Sequence, residues 1–248
     1  MKISILTTTY NSAATVRDTL ESIRTQDYPY IEHIIVDGGS RDATLEMVAA
    51  YPHVQCVISE PDHGLYDAMN KGIRLATGDV IGILNSDDFY MHKQVVSQVM
   101  NLLQQTGSDA LYGDLEYVAA EDTGRVVRRW KARTYHPKLF LWGWMPPHPT
   151  FFVRRQVYAQ FGGFNTRLRF SADYELMLRF LYKHRISVCY LPQVLVRMRT
   201  GGLSNASLSN RWRANREDRQ AWEINSLQPS FYTLLFKPAS KIMQFLLR

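Results

Sequence analysis

A chain of 248 residues with 46% apolar and 21% charged residues fits one large domain, or one domain with an appendage, and excludes a disordered composition. Net charge is +6, and residues 205–248 hold seven Lys/Arg against three Asp/Glu, so +4 of the excess sits in the tail. No apolar run reaches the length of a membrane span, and Cys56 and Cys189 lack metal-ligand spacing, so they read as buried strand thiols in a reducing compartment.

The chain enters a strand at once, over 3–8, with no signal peptide before it, which predicts a cytoplasmic protein. A helix follows over 13–26, capped by Asn11 or Ser12. Strands over 31–36, 54–59 and 80–84 then alternate with helices over 42–51, 65–76 and 92–105. Short connections between alternating strands and helices predict an α/β fold, an open, mostly parallel sheet flanked by helices. No Gly-x-Gly-x-x-Gly follows any strand and no Walker-type loop is present, which argues against a dinucleotide oxidoreductase.

Beyond Asp109 the pattern changes. Strands are expected over 110–118 and 125–130, then an aromatic-rich stretch over 135–144 and a break at Met145-Pro146-Pro147-His148-Pro149. A short strand over 150–153, a short helix over 155–161, a strong helix over 172–184 and an extended run over 187–198 follow. The tail reads as a basic helix over 210–224 and a short apolar one after Pro229.

Five polar blocks end strands or open helices. The tetrad Asn85-Ser86-Asp87-Asp88 follows the apolar run 80–84. Carboxylates at the carboxyl end of a buried strand are costly to desolvate unless paired, and a divalent cation carrying phosphates is one partner. Such sheets bind ligands at that edge, although strand-end aspartates also simply shape turns. Thr7-Thr8-Thr9-Tyr10-Asn11 could hold a nucleobase or serve as strand edge and helix cap. Asp37, in Val36-Asp37-Gly38-Gly39-Ser40, could accept from a base or ribose, or anchor a β-turn. Asp67 and Lys71 share a helix face, as a surface pair or, for Lys71, as a phosphate contact. Asp173 opens the 172–184 helix, where it is either a general base or an anion stabilised by the helix dipole.

The blocks Thr-Thr-Thr-Tyr-Asn, Val-Asp-Gly-Gly-Ser-x-Asp-x-Thr, Ser-Glu-Pro-Asp-x-Gly-x-Tyr-Asp-Ala-Met-Asn-Lys-Gly and Asn-Ser-Asp-Asp together resemble family 2 glycosyltransferases over about residues 1–205. They are similar to the bacterial members that build exopolysaccharides and O-antigens. The resemblance implies a GT-A fold, with a nucleotide-sugar-binding half over 1–109, an acceptor half and closing loop over 110–204, and a basic helical extension over 205–248. It implies donor contacts from Thr8, Tyr10, Asp37, Asp67, Lys71, Asp87 and Arg199. It implies Mn²⁺ or Mg²⁺ on Asp88 and His148, the latter in a segment resembling one near the acceptor and metal. The stricter metal motif has an acid where this chain has Asn85, so roles divide between Asp87 and Asp88. Asp173 matches the catalytic base, with Glu175 as its competitor, and 197–204 resembles a loop closing over the donor diphosphate.

The expected activity is inverting, metal-dependent transfer of a sugar from a nucleotide-sugar donor to a glycan acceptor carried on polyprenyl diphosphate. An anionic membrane surface is a further expected partner through the tail. The alternatives are a non-catalytic sugar-nucleotide binder and a nucleic-acid-binding module. The latter is disfavoured because Arg211, Arg213, Arg216 and Arg219 are interleaved with Glu217 and Asp218.

Overall fold

The computed structural model describes residues 1–201, 208–230 and 233. Its centre is β1 (Ile3–Thr9), a strand buried along its whole length. It pairs in parallel with β2 (Ile31–Asp37) on one side and β4 (Val80–Ile83) on the other. A strand covered on both faces has no need of strict alternation, which fits Ile3, Ile5 and Leu6 all being buried, with the buried Ser4 hydroxyl satisfied by Glu32. β3 (Val54–Ser59) pairs beyond β2, and its side chains alternate between half-buried and exposed, as an edge strand's do. Cys56 lies on β3 and Cys189 on β9, both half-buried rather than buried as expected, and both are free thiols.

Among the described residues the sheet has nine strands in the order β3-β2-β1-β4-β8-β6-β9-β5, with β7 (Val126–Trp130) paired to β6 (Ala110–Val118). β8 (Phe152–Arg154), β5 (Asp88–Tyr90) and β7 run against their neighbours, whereas β6 and β9 (Val188–Arg199) are parallel. One sheet therefore contains strands from both expected halves. The chain winds outward from β1 to β3 and then returns to place β4 on the other side of β1. The switch point lies between β1 and β4, where sheets of this kind open a crevice at their carboxyl edge.

Helices cover both faces. In α1 (Val16–Arg24) the buried residues are Val16, Thr19, Leu20 and Ile23, one stripe at helical spacing. α2 (Thr44–Ala49) and α4 (Val95–Thr106) follow similar logic, and α4 closes on Gly107 in the left-handed conformation. α3 (Leu65–Leu75) packs on β1 and β2. α5 (Lys138–Leu141) and α6 (Arg155–Phe161) are short.

The strong helix expected over 172–184 is α7 (Ala172–Met177), which widens over Leu178–Lys183, where the His184 N–H reaches the carbonyl of Arg179 at 2.9 Å. Arg179 sits in that wide turn and donates to the carbonyls of Phe161, Gly162 and Gly163, terminating α6. The basic helix is α8 (Leu208–Ile224), and its buried Ala221 and Trp222 pack on α7. The apolar helix expected after Pro229 lies outside the described residues except at Thr233, which is buried and donates to the carbonyl of Leu141 at 2.7 Å. No helix among the described residues is long and apolar enough to cross a membrane.

Candidate active site

The carboxyl ends of β1 and β4 are tied together. Thr8 Oγ1 donates to Asn85 Oδ1 at 3.4 Å, and the hydroxyls of Ser12 and Ser86 meet at 2.8 Å. Between them the acid tetrad turns sharply: the Asp88 N–H bonds the Asn85 carbonyl at 3.0 Å, and the chain then pairs with β9 as β5. Asp88 is thus a strand residue facing Met198, not a loop residue.

Its side chain is fully buried. Asn85 Nδ2 approaches Oδ2 at 3.4 Å, while Oδ1 has no hydrogen-bond partner among the described residues. Burial raises Asp88 well above the usual carboxylate range, and the neighbouring Asp87 carboxylate adds to this. Asp87 is half-buried and is also raised by burial, with Arg199 opposing. Two hard oxygen-donor side chains, one with an orphaned atom, fit a divalent cation whose remaining ligands come from phosphate and water. Among the described residues no three His, Cys, Asp or Glu side chains are grouped so as to hold a metal, so His148 is not gathered with Asp87 and Asp88 into such a set.

His148 stands instead beside the other carboxylate. It is buried and edge-on to Phe164, with ring centroids 5.5 Å apart. Burial lowers its basicity, and the Asp173 charge pulls the other way. Asp173 lies in the first turn of α7. Its Oδ1 accepts from the Tyr66 hydroxyl at 3.2 Å and from the Tyr174 N–H at 2.8 Å. No described residue donates to Oδ2. Burial and the Asp173 charge raise Tyr66 well above the ordinary tyrosine value, so it remains a donor. Tyr117 on β6 is raised first by burial; Arg128, stacked 4.5 Å from its ring centre, opposes this, and Asp88 and Asp173 both raise it further. Its hydroxyl therefore feels the charge of both acids.

Glu175 is engaged elsewhere. It is buried, paired with Arg179 at 2.9 Å, and accepts from Asn225 Nδ2 at 2.8 Å.

The remaining expected donor contacts divide into those that face outward and those that hold the loops. Tyr10 is 65% exposed at the end of β1. A Cβ on Gly38 would lie 3.4 Å from its ring and 2.6 Å from Asp62 Oδ2, so glycine lets the Tyr10 ring and the Asp62 carboxylate approach this turn together. Asp37 is fully buried and accepts five hydrogen bonds, from Thr9, Ser59, the Gly39 N–H and both the N–H and hydroxyl of Ser40. Burial alone would raise it, but these donors hold it below the usual range. With its lone pairs occupied, Asp37 anchors the glycine turn, the turn alternative of the sequence reading.

Asp67 accepts from the His63 N–H at 3.1 Å. Lys71 lies 3.8 Å from Asp67, pairs with Glu60 at 2.8 Å and donates to the Pro61 carbonyl at 3.1 Å, pinning the loop before α3. Arg199 is buried, pairs with Asp18, and donates to the Asp87 carbonyl at 2.8 Å, while Arg197 pairs with Glu116 at 3.1 Å. Arg199, expected on the donor, and Arg197, at the start of the expected closing loop, are thus both held by protein acids, and Arg199 braces the acid turn. The expected closing loop lies outside the described residues from 202 onward.

Sequence reasoning missed Tyr66, Asp62, Tyr117 and Asp18. Tyr66 and Asp62 fall inside a block already recognised as polar and unusual. Asp18 looks like any first-turn helix acid, and Tyr117 like any strand aromatic.

Comparison with solved structures sets the class. S. aureus TarS in complex with UDP superposes with a TM-score of 0.70 at 18% identity, over 92% of this chain and 67% of that one. The mannosyltransferase PcManGT from Pyrobaculum calidifontis, in complex with GDP-Man and Mn²⁺, gives 0.66 at 17% identity, over 98% and 69%. The curled, mostly parallel sheet with its switch-point acids is a GT-A fold. A model of glycosyl transferase family 2 matches residues 4–176. An uncharacterised glycosyltransferase of Mycobacterium tuberculosis is 32% identical over 181 residues, 71% of this chain and 68% of that protein. A PGL/p-HBAD biosynthesis glycosyltransferase of Mycobacterium bovis is 31% identical over 215 residues, 82% of this chain and 78% of that protein. The chain belongs to glycosyltransferase family 2 and is a glycosyltransferase.

Proposed function

We propose that this enzyme is an inverting, metal-dependent glycosyltransferase acting on the cytoplasmic side of a membrane. It moves a sugar from a nucleotide-sugar donor to a hydroxyl of a growing, polyprenyl-diphosphate-linked bacterial surface glycan. The observation that carries this reading is the presence of two acids at the switch point, one with an orphaned oxygen, together with a carboxylate oxygen, Asp173 Oδ2, to which no described residue donates. Relatives named for PGL/p-HBAD biosynthesis support a glycoconjugate product, and neighbours holding UDP, UDP-GlcNAc or GDP-Man support the donor class.

In this reading Tyr10 offers its exposed ring to the nucleobase, beside Thr8 and the Gly38 turn that Asp37 anchors. Asp87, the more exposed acid, and Asp88 would hold a Mn²⁺ or Mg²⁺ ion. The bound cation would neutralise charge developing on the departing diphosphate. His148 lines the acceptor side. Asp173 takes the proton from the acceptor hydroxyl at Oδ2 while Tyr66 holds Oδ1. The acceptor oxygen bonds the anomeric carbon as the bond from that carbon to the diphosphate oxygen breaks, and the electron pair leaves with the diphosphate. One base opposite the leaving group needs no carboxylate nucleophile, so configuration inverts. Glu175, neutralised by Arg179, is unsuited to the task.

A thermal-shift panel of nucleotide sugars with Mn²⁺ tests the donor class, since a ligand bound to the native state raises apparent stability by mass action. NMR of the product from the best donor then reads the anomeric configuration. A retained configuration overturns direct displacement, and full activity after exhaustive chelation overturns the metal role.

A further inference from the structure

The segment before α7 has an unusual partner. The backbone N–H groups of Arg169, Phe170 and Ser171 all donate to the Glu217 carboxylate of α8, at 3.1, 2.7 and 3.0 Å. The Ser171 hydroxyl reaches the Ala214 carbonyl at 3.1 Å. The Ser171 side chain, at the N-cap, makes no capping bond to that helix. A carboxylate supplied from 46 residues away instead gathers the amides of the segment leading into it.

The same helix grips α7 at two further consecutive positions. Trp222 Nε1 donates to the Tyr174 hydroxyl at 2.9 Å, and Asn225 bonds Glu175. Asp173 stands between the gathered residues and these two. α8 lies wholly beyond residues 4–176, which the family model covers.

We infer that Glu217 is a positioning residue for the catalytic base: it fixes the entry of α7 and so sets Asp173 against Tyr66. This rests on the reading of Asp173 as the base. An acid held by one hydroxyl and its own neighbouring amide has its direction set by where the helix begins. Tyr66 comes from α3, which is rooted in the sheet, so a shift of α7's first turn moves Asp173 relative to the donor site. A misplacement of about 1 Å can cost about 100-fold in rate.

The test compares Glu217→Ala, Glu217→Gln, Asp173→Asn and Val99→Ala. Val99 is buried in α4 against the opposite face of the sheet, so Val99→Ala destabilises the fold without touching α7. Nucleotide release with Mn²⁺ is followed using whichever of UDP-GlcNAc and GDP-mannose turns over faster, alongside the Kd for the matching nucleoside diphosphate.

Glu217→Ala is expected to lower kcat about 10–100-fold with donor KM and nucleotide Kd near wild type. Glu217→Gln, which keeps an acceptor oxygen for the amides, is expected to recover most of the rate. Val99→Ala at comparable loss of stability should keep wild-type kcat. Wild-type kcat in Glu217→Ala, equal rate loss in Val99→Ala, or a parallel fall in nucleotide affinity overturns the inference. So does a crystal structure of Glu217→Ala that retains the 3.2 Å contact between Tyr66 and Asp173. An active Asp173→Asn would overturn the assignment of the base itself, whereas a dead Asp173→Asn with an unimpaired Glu217→Ala would overturn only the positioning role.

Discussion

Asp88 shows how burial and function meet in one side chain. Its orphaned oxygen and raised proton affinity are costs in the ion-free protein, and a cation would relieve both. Asp88→Asn should weaken Mn²⁺-dependent nucleotide binding about 10-fold or more, as loss of a metal-site group does, while leaving the thermal midpoint without ligand intact or raised. Calorimetric titration with UDP or GDP, with and without Mn²⁺, checks this, and equal Mn²⁺ enhancement in variant and wild type would refute it. His33 gives a separate prediction about acid stability. Its ring is buried between Thr7 and His53, and burial lowers its pKa from 6.5 to about 3. The unfolded chain therefore binds a proton that the native state refuses, so stability is full above about 6.5 and falls as pH drops toward about 3. Urea midpoints between pH 7.5 and 4.5 should fall less steeply in His33→Gln than in wild type. Several of these residues were legible as types in the sequence: the acids, Tyr10 and Asp173 announced themselves by strand-end or helix-start position. Their division of labour was not, because whether Asp37 or Arg199 meets a ligand or another part of the protein depends on partners up to 181 residues away.

At the scale of elements, regular periodicity carried the strands and helices of the first half to within a few residues. It failed at β5, three residues too short to show alternation, where an acid pair reads as a turn. It also failed within α7, because the widening over Leu178–Lys183 arises where Arg179 is drawn to the carbonyls ending α6, a contact no local pattern encodes. The β6–β9 pairing has its own weak point. Gly113 sits where the register shifts, and a Cβ there would lie 2.5 Å from the Leu195 side chain and 3.0 Å from the Gln193 carbonyl oxygen. Leu195 is fully buried and has nowhere to retreat. Gly113→Ala should therefore cost about 1–3 kcal/mol, the range for overpacking a core, measured by chemical denaturation. An unchanged denaturation midpoint would mean that the two strands slide apart freely.

For the whole molecule, alternation of strands and helices with short connections was enough to reach the α/β class, and the ordered polar blocks were enough to reach the family. What composition could not say is how the basic tail is used. Thr233 docks against α5, which favours a tail that begins by packing on the domain. The proposed membrane contact then belongs to the residues beyond it, where Lys237, Lys241 and Arg248 accompany Phe245 and Leu246 in the sequence. Flotation with vesicles containing anionic lipid should carry the full chain at low salt and leave behind a chain ending at Leu227. Equal flotation of the two would assign membrane binding to the domain instead.

The grip of α8 on α7 also has a meaning in time. During synthesis the amino-terminal part emerges first, so β1 to β4 and the acid turn are made long before Glu217, Trp222 and Asn225. The segment entering α7 leaves the ribosome without Glu217 and must wait some forty residues for it. The growing polypeptide thus acquires the strands that carry the acid turn early and the finished seat of Asp173 among the last. A ribosome-bound intermediate can have the proposed donor site laid down while Asp173, the proposed base, is not yet held in place.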